Sequence, residues 1–266
     1  RFKISIMPGL DDGTFYKLVY GDEGRGSYTV EIVTENLPID GSLGPPEEVG
    51  VTGQATDVLV ADLFSLDGGL DGYADIALTI DGSPGQLYLF VNDGNGGVSL
   101  QTTYQTGNGP TAITTGDIDN DGIGDIIVTN ALDNTFQYWI NPSADATALV
   151  AELPIATGDM PMDIISFDID SDLDDDVVIT CAGNGLPDTE TGVIYGLVQF
   201  FESDGTRNRA LTPKQDLTVN KQPTSIKPGD FDNGGDKEDD IIITLTAGNQ
   251  VLRLGNPGSD ADWTID

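Results

Sequence analysis

Asp117-Ile-Asp119-Asn-Asp121-Gly122-Ile123-Gly-Asp125-Ile-Ile-Val128 is the stretch that decides how this chain is read. Carboxylates at loop positions 1, 3, 5 and 9, around a glycine at position 6, make a cage for a hard cation. Ca²⁺ takes about six to eight oxygens at about 2.3–2.6 Å. The loop offers the side chains of Asp117, Asp119, Asp121 and Asp125, with the backbone carbonyl of Ile123 at position 7. An EF-hand would need a bidentate Glu at position 12 and a helix after it. Position 12 here is Val128, inside the β-type run Ile126-Ile127-Val128-Thr129. A metal in this loop would therefore pin a strand-to-strand connection.

Three further stretches vary the pattern. Asp168, Asp170, Asp172, Asp174 and Asp176 keep the spacing, with Leu173 in place of the glycine. A side chain with a Cβ is disfavoured in a left-handed turn, so this loop is expected to be distorted. A longer copy runs from Asp230 to Asp240, with Asp230, Asp232, Asp236 and Asp240 as candidate ligands. The remaining copy takes Asp67, Asp71, Gly72 and Asp75 as positions 1, 5, 6 and 9, with Gly69 at position 3. Aspartate and glycine are also ordinary turn residues. Four copies, each followed at once by Ile or Val, favour cation loops over solvated turns, and two to four Ca²⁺ sites are expected.

The repeat extends beyond the loops. Position 9 falls at Asp75, Asp125, Asp176 and Asp240, in steps of 50, 51 and 64 residues. Pro110-Thr-Ala-Ile113, Pro161-Met-Asp-Ile164 and Pro223-Thr-Ser-Ile226 precede the loops, with Ala55-Thr-Asp-Val58 as the weaker version. After each loop come a second strand, a third such as Phe136-Gln-Tyr-Trp-Ile140, and a fourth leading back to the next Pro. Four short strands per roughly fifty residues, punctuated by Gly, Asn, Asp and Pro, is the pattern of a β-propeller blade. Residues 1–53 read as a worn fifth copy without metal, with Tyr28–Val33 and Pro45–Gly53 as its third and fourth strands. The expected fold is thus an all-β propeller of about five four-stranded blades in one domain, 1–266. The blade-equivalents are about 1–53, 54–108, 109–159, 160–221 and 222–266, either as a closed ring or as part of a larger propeller.

Gly116–Val128 and Pro110–Ile113 resemble the FG-GAP/VCBS repeat family, the Ca²⁺-binding blades also seen in integrin α-chain propellers. The likeness covers about residues 50–260 well and 1–50 weakly. The Phe-Gly and Gly-Ala-Pro signatures that name the family are not evident, and the bacterial VCBS-like branch fits better. The resemblance implies fold and metal rather than one function. Family members include adhesion modules, surface proteins and parts of polysaccharide-degrading enzymes.

Composition narrows the setting. The 266 residues suffice for a sizeable all-β core. A formal charge of −34, of which four Ca²⁺ would offset only a part, argues against nucleic acid or an anionic membrane as partner. The longest apolar runs are strand-sized, so no membrane insertion is expected. Cys181 is the only cysteine and ends the apolar run Val177-Val-Ile-Thr-Cys181, which reads as a small buried hydrophobe. Stability then has to come from packing and metal. Extracellular Ca²⁺ modules bind at about 10⁻⁴–10⁻³ M, and sites that weak would stand empty in cytosol. An extracellular, cell-surface or periplasmic address is the consistent one, and Arg1 in place of an initiator Met reads as a processed or excised chain.

The sequence has no histidine, which removes Ser-His-Asp and Cys-His catalysis and His-ligated zinc. It contains no G-x-S-x-G elbow and no Walker-type loop. Carboxylate-pair glycoside hydrolysis, or a lyase using Tyr, Lys or Arg, stays open as the alternative. Trp139, on a strand with apolar groups on both faces, reads as packing between blades more than as a sugar platform; Trp263 is open between the two. The expectation is a non-catalytic recognition, adhesion or scaffold module with a protein or glycan ligand on a loop face.

Overall fold

The computed structural model describes residues 4–8, 14–19, 29–32, 35–36, 47–64, 70–94, 97–170, 172–191, 193–203, 209–229, 240–255 and 263. In the N-terminal region, β1 (Ile4–Pro8) pairs with β2 (Thr14–Val19), whose first residues pair with β4 (Glu35–Asn36). Separately, β3 (Thr29–Ile32) pairs with β5 (Glu47–Gly50), and β2 lies against β3. The stretch expected as one worn four-stranded copy thus forms two small sheets, one of three strands and one of two.

From residue 55 onward the repeat governs the structure. The first meander is β6 (Ala55–Ala61), β7 (Asp75–Ile80), β8 (Gln86–Asn92) and β9 (Val98–Gln105), antiparallel throughout. Next come β10 (Pro110–Gly116), β11 (Asp125–Asn130) and β12 (Thr135–Ile140), with the fourth position split into β13 (Val150–Ala151) and β14 (Ile155–Ala156). The third sheet is β15 (Pro161–Phe167), β16 (Asp176–Cys181), β17 (Tyr195–Glu202) and β18 (Thr212–Asn220). Among the described residues the last sheet has three strands: β19 (Pro223–Gly229), β20 (Asp240–Leu245) and β21 (Gln250–Leu254).

The Pro-x-x-Ile signature has a structural cause. In all four sheets the ladder between the first two strands shifts by one residue directly after its first pair, at Ala55/Asp57, Pro110/Ala112, Pro161/Asp163 and Pro223/Ser225. The extra residue is a bulge, and a threonine there can bond to a threonine on the second strand. Thr56 meets Thr79 at 2.8 Å, Thr111 meets Thr129 at 3.0 Å and Thr224 meets Thr244 at 3.3 Å. Such bulges bend a strand and re-aim the side chains next to them.

Strand alternation assigns the core. β7, β11 and β16 are buried at every position, so each second strand feeds a core on both faces. Ile126 and Val128 pack with Trp139 against Leu87, Leu89 and Phe64 of the preceding sheet. Ile127, Phe136 and Tyr138 turn the other way, onto Val177, Ile179 and Phe201. Val178, Val198 and Phe200 then meet Ile241, Ile243 and Trp263. Each sheet therefore packs face to face on the next, which explains why the second strands are apolar runs without alternation. Both tryptophans are core residues: Trp139 lies beside Tyr104 and Trp263 stacks on Phe200 at 5.3 Å. The first strands also stand in order, β6 beside β10, β10 beside β15 and β15 beside β19. Side chains join them: Asp57 accepts the Ile113 N–H at 3.0 Å, Thr111 donates to the Pro161 carbonyl at 2.8 Å and Asp163 accepts the Ile226 N–H at 3.0 Å.

Cys181 is fully buried, and burial pushes its thiol up to about 12. That agrees with an inert residue on an apolar strand.

Candidate metal centres

The ladders fix where each acidic loop begins. Ala61 pairs with Asp75, Gly116 with Asp125, Phe167 with Asp176 and Gly229 with Asp240. The residues after the first strands are Asp62, Asp117, Asp168 and Asp230, and each is position 1 of its loop. For the first loop the ladder points to Asp62, where spacing alone points to Asp67. Asp67 lies outside the described residues, while Asp62 makes the bonds of a position-1 aspartate.

Those bonds are the same in three loops. The position-1 carboxylate accepts the position-6 N–H: Asp62 from Gly72 at 2.9 Å, Asp117 from Gly122 at 2.8 Å and Asp168 from Leu173 at 3.1 Å. Asp117 and Asp168 also accept from position 5, at 3.0 Å from Asp121 and 3.2 Å from Asp172. Position 5 in turn accepts from position 7: Asp71 from Tyr73 and Asp121 from Ile123 at 2.9 Å, and Asp172 from Asp174 at 3.4 Å. Position 6 is left-handed throughout, with φ of 85° at Gly72, 87° at Gly122 and 82° at Leu173. The expected distortion at Leu173 is therefore absent from the backbone path. Its trace is a slight lengthening of the three hydrogen bonds. A Cβ at Gly72 or Gly122 would meet nothing within 4 Å, and Leu173 accordingly projects into solvent, 77% exposed.

Position 9 has a role that spacing alone did not reveal. Asp125 accepts the Ile118 N–H at 3.0 Å through one oxygen and the Asn141 N–H at 2.8 Å through the other. Asp176 does the same with Ile169 at 3.1 Å and Ser203 at 2.9 Å. Asp75 holds Leu63 at 3.0 Å, Phe64 at 2.7 Å and Asn92 at 3.0 Å. The position-9 aspartate thus clamps the loop's start to the end of the third strand. Burial pushes the Asp125 and Asp176 carboxyls up to about 7 and Asp75 up to about 6, against the lowering effect of these backbone N–H groups.

The loops gather carboxylate oxygens, and a few of these meet no donor. One carboxylate oxygen from each of Asp117, Asp119 and Asp125 lies within 4.8 Å of the others, and Asp168, Asp170 and Asp176 form the matching triplet. Asp121, Asp172 and Asp174 stand beside these triplets rather than in them. Asp119 is 2% exposed; one oxygen meets the Arg209 guanidinium at 3.2 Å and the other finds no donor. One oxygen of Asp62, one of Asp170 and both of Asp174 are likewise buried without a donor. Burial raises the Asp170 carboxyl to about 6, with Glu202 and Asp172 adding to the rise and Lys214 opposing it. Lys214 pairs with Glu202 and lies 3.9 Å from Asp170. Undonated carboxylate oxygens held together away from water are costly unless a cation joins them. These residues fit a hard, oxygen-preferring ion. Asp117, Asp119 and Asp125 would hold it in one loop, Asp168, Asp170 and Asp176 in the next, where it would supply charge compensation and loop rigidity.

The last loop differs at its one described candidate residue. Asp240 is buried and accepts from Arg253 at 2.7 and 3.1 Å. Asp230, Asp232 and Asp236 lie outside the described residues.

An all-β chain of antiparallel sheets, with an acidic loop between the first two strands of each of the four sheets from residue 55 onward, is the class that fold and site define. Residues 66–128 match the FG-GAP-like repeat family, so this stretch carries an FG-GAP-like repeat, as the resemblance implied. Among solved structures, the chain is similar to a functionally unknown protein from Desulfotomaculum acetoxidans. The TM-score is 0.64 at 11% identity, covering 98% of this chain and 70% of that one. It is also similar to BBS1N, solved in complex with ARL6DN and soaked with lead. There the TM-score is 0.55 at 12% identity, covering 99% of this chain and 81% of that one. At such identities the likeness is one of fold. No curated protein matches the chain in sequence.

Proposed function

We propose that the chain is a calcium-stabilised β-propeller that works outside the cell as a non-catalytic recognition, adhesion or scaffold module. The observation that carries the metal reading is the pair of aspartate triplets, each holding one buried carboxylate oxygen, on Asp119 and on Asp170, that no donor meets. The ordered first strands and face-to-face sheets support the radial arrangement. A weak-affinity extracellular calcium loop suits the address, and among the described residues no helix is long and apolar enough to cross a membrane.

Recognition falls to the loops, because the sheets bury one another. At the end away from the acidic loops, the turns expose Leu132, Met160 and Leu186. That mixture, on a chain of charge −34, suits a neutral glycan or a basic protein patch. The test is a glycan and protein capture panel with Ca²⁺ and with chelator, beside turnover assays on acidic and neutral polysaccharides. Capture without turnover is expected. Turnover abolished by one substitution outside the acidic loops would establish instead the propeller of a polysaccharide lyase or glycoside hydrolase.

A further inference from the structure

The loops 117–125 and 168–176 are bonded to each other through residues that are not ligands. Asp175 accepts the Asp117 N–H at 2.9 Å and its own N–H donates to the Asp117 carbonyl at 3.0 Å. Both backbone groups of one loop's position 1 are thereby held by position 8 of the next loop. Ser203 makes a second bridge. Its N–H donates to Asp176 at 2.9 Å and its hydroxyl donates to the Ile118 carbonyl at 2.8 Å. Ile118 is in turn held by Asp125 at 3.0 Å. The close approach depends on Gly116, where a Cβ would stand 2.1 Å from the Ser166 hydroxyl and 3.1 Å from the Asp175 Cβ.

From this geometry we propose that the two loops bind Ca²⁺ cooperatively, with Asp175 and Ser203 as the positioning residues that couple them. The proposal rests on the calcium reading above. An ion in either loop orders its ligands and the backbone that carries them. Asp117 and Ile118 are shared with the neighbouring loop through the bridges, so the second ion meets backbone whose ordering cost has been met. Charge acts in the opposite sense. The first ion weakens the negative field felt by the second, an effect screened over about 8 Å at physiological salt. The sign of the coupling therefore separates the two mechanisms.

Among the described residues, the double bridge is found between these two loops. Between loops 62–75 and 117–125 only one such bridge stands among the described residues, Asn141, which donates to the Leu63 carbonyl at 2.8 Å and to Asp125 at 2.8 Å. Position 8 of the later loop is there Gly124, with no side chain to hold Asp62, where the next loop has Asp175.

The test is calorimetric Ca²⁺ titration of the chelated full chain. Asp119→Ala disables the first loop and Asp170→Ala the second, each with and without Ser203→Ala and Asp175→Ala. Disabling one loop should weaken Ca²⁺ at the other about fivefold, and in the Ser203→Ala/Asp175→Ala background by less than about twofold. Asp175→Asn keeps an acceptor and should keep the coupling; Ser203→Ala alone should reduce it if Asp175→Ala does not fold. Indifference of each loop to the other, tighter binding when its neighbour is disabled, or a dependence that survives both substitutions would overturn the proposal. Absence of Ca²⁺ heat from either loop would instead overturn the calcium reading itself.

Discussion

Loops 117–125 and 168–176 follow one backbone path with different side chains at the positions that should matter for it. Gly122 and Leu173 share a left-handed φ, 87° and 82°. A residue with a Cβ costs about 1–2 kcal/mol there, yet the loop does not refold to escape it. The reason is that both loops are gripped twice. The position-1 carboxylate caps positions 5 and 6, and the position-9 carboxylate ties position 2 to the third strand. Aspartates, and not the glycine, determine the path; the glycine only makes it cheaper. The loops part company in their surroundings. Arg209 approaches Asp119 in the first, whereas Lys214, Glu202 and the undonated Asp174 crowd the second.

The largest effect should come from the clamp. Asp125→Ala strips acceptors from the Ile118 and Asn141 N–H groups, at about 1–3 kcal/mol for each that stays unsatisfied. A clear fall in melting temperature even in saturating Ca²⁺ is expected, with the same at Asp176→Ala. Asp121→Ala, by contrast, should lower Ca²⁺ affinity and keep the fold at high Ca²⁺. Equal melting of Asp125→Ala and Asp121→Ala in saturating Ca²⁺ would remove the clamp from the account.

Chelation comes next. At free Ca²⁺ of about one to ten times Kd, each site adds about 0.4–1.4 kcal/mol, so the two loops together contribute about 1–3 kcal/mol. Differential scanning calorimetry with Ca²⁺ and with chelator reads this directly, and unchanged melting would refute calcium stabilisation.

Protons sharpen the contrast between the loops. In the metal-free molecule Asp125 and Asp176 stand near 7 and Asp75 near 6, against about 3.9 for an unfolded aspartate. Between those values the folded form holds more protons than the unfolded one. The contribution of these groups is thus fully present below about pH 4 and is lost as pH rises through 6 to 7. Ca²⁺ binding near pH 6 should release protons, more from the second loop, where Asp170 also stands near 6. Titrations in buffers of different ionisation heat measure the release; an equal count from each loop would contradict the difference drawn here.

Smaller still is the exchange at position 6. Leu173→Gly should stabilise by about 0.5–1 kcal/mol, the relieved strain being partly offset by the freer unfolded chain, and Gly122→Leu should destabilise by about 1 kcal/mol. Urea denaturation in saturating Ca²⁺ would show whether the signs are opposite, as required. Cys181 gives the gentlest probe: thiol labelling should be slow with Ca²⁺ and faster after chelation, and fast labelling in both conditions would contradict its burial.

Much of this fold is legible in the sequence, for a physical reason. A four-stranded repeat imposes its period on every copy, so the Pro-x-x-Ile starts, the apolar second strands and the Asp-Gly loops recur at readable spacing. Trp139 and Cys181 read correctly as core because a strand buried on both faces admits no polar alternation. Asp62 escapes a reading by spacing because its loop carries five more residues than 117–125, and counting back from Asp75 points to Asp67 instead. The one available signal is position: each loop begins directly after the first strand, and Ala61 is the residue that pairs with Asp75.

What the sequence determined by itself is therefore local or periodic: strands, loops, the repeat, and which side chains can bind a cation. Only the tertiary structure decided how those side chains are spent. Asp125 and Asp176 became clamps, Asp240 met Arg253, and Asp175 and Ser203 came to join one loop to the next. The first three of these bonds join neighbouring strands of one sheet, and those from Asp175 and from the Ser203 hydroxyl form only when the sheets stack. An aspartate in a string of aspartates carries no mark of which N–H it will face.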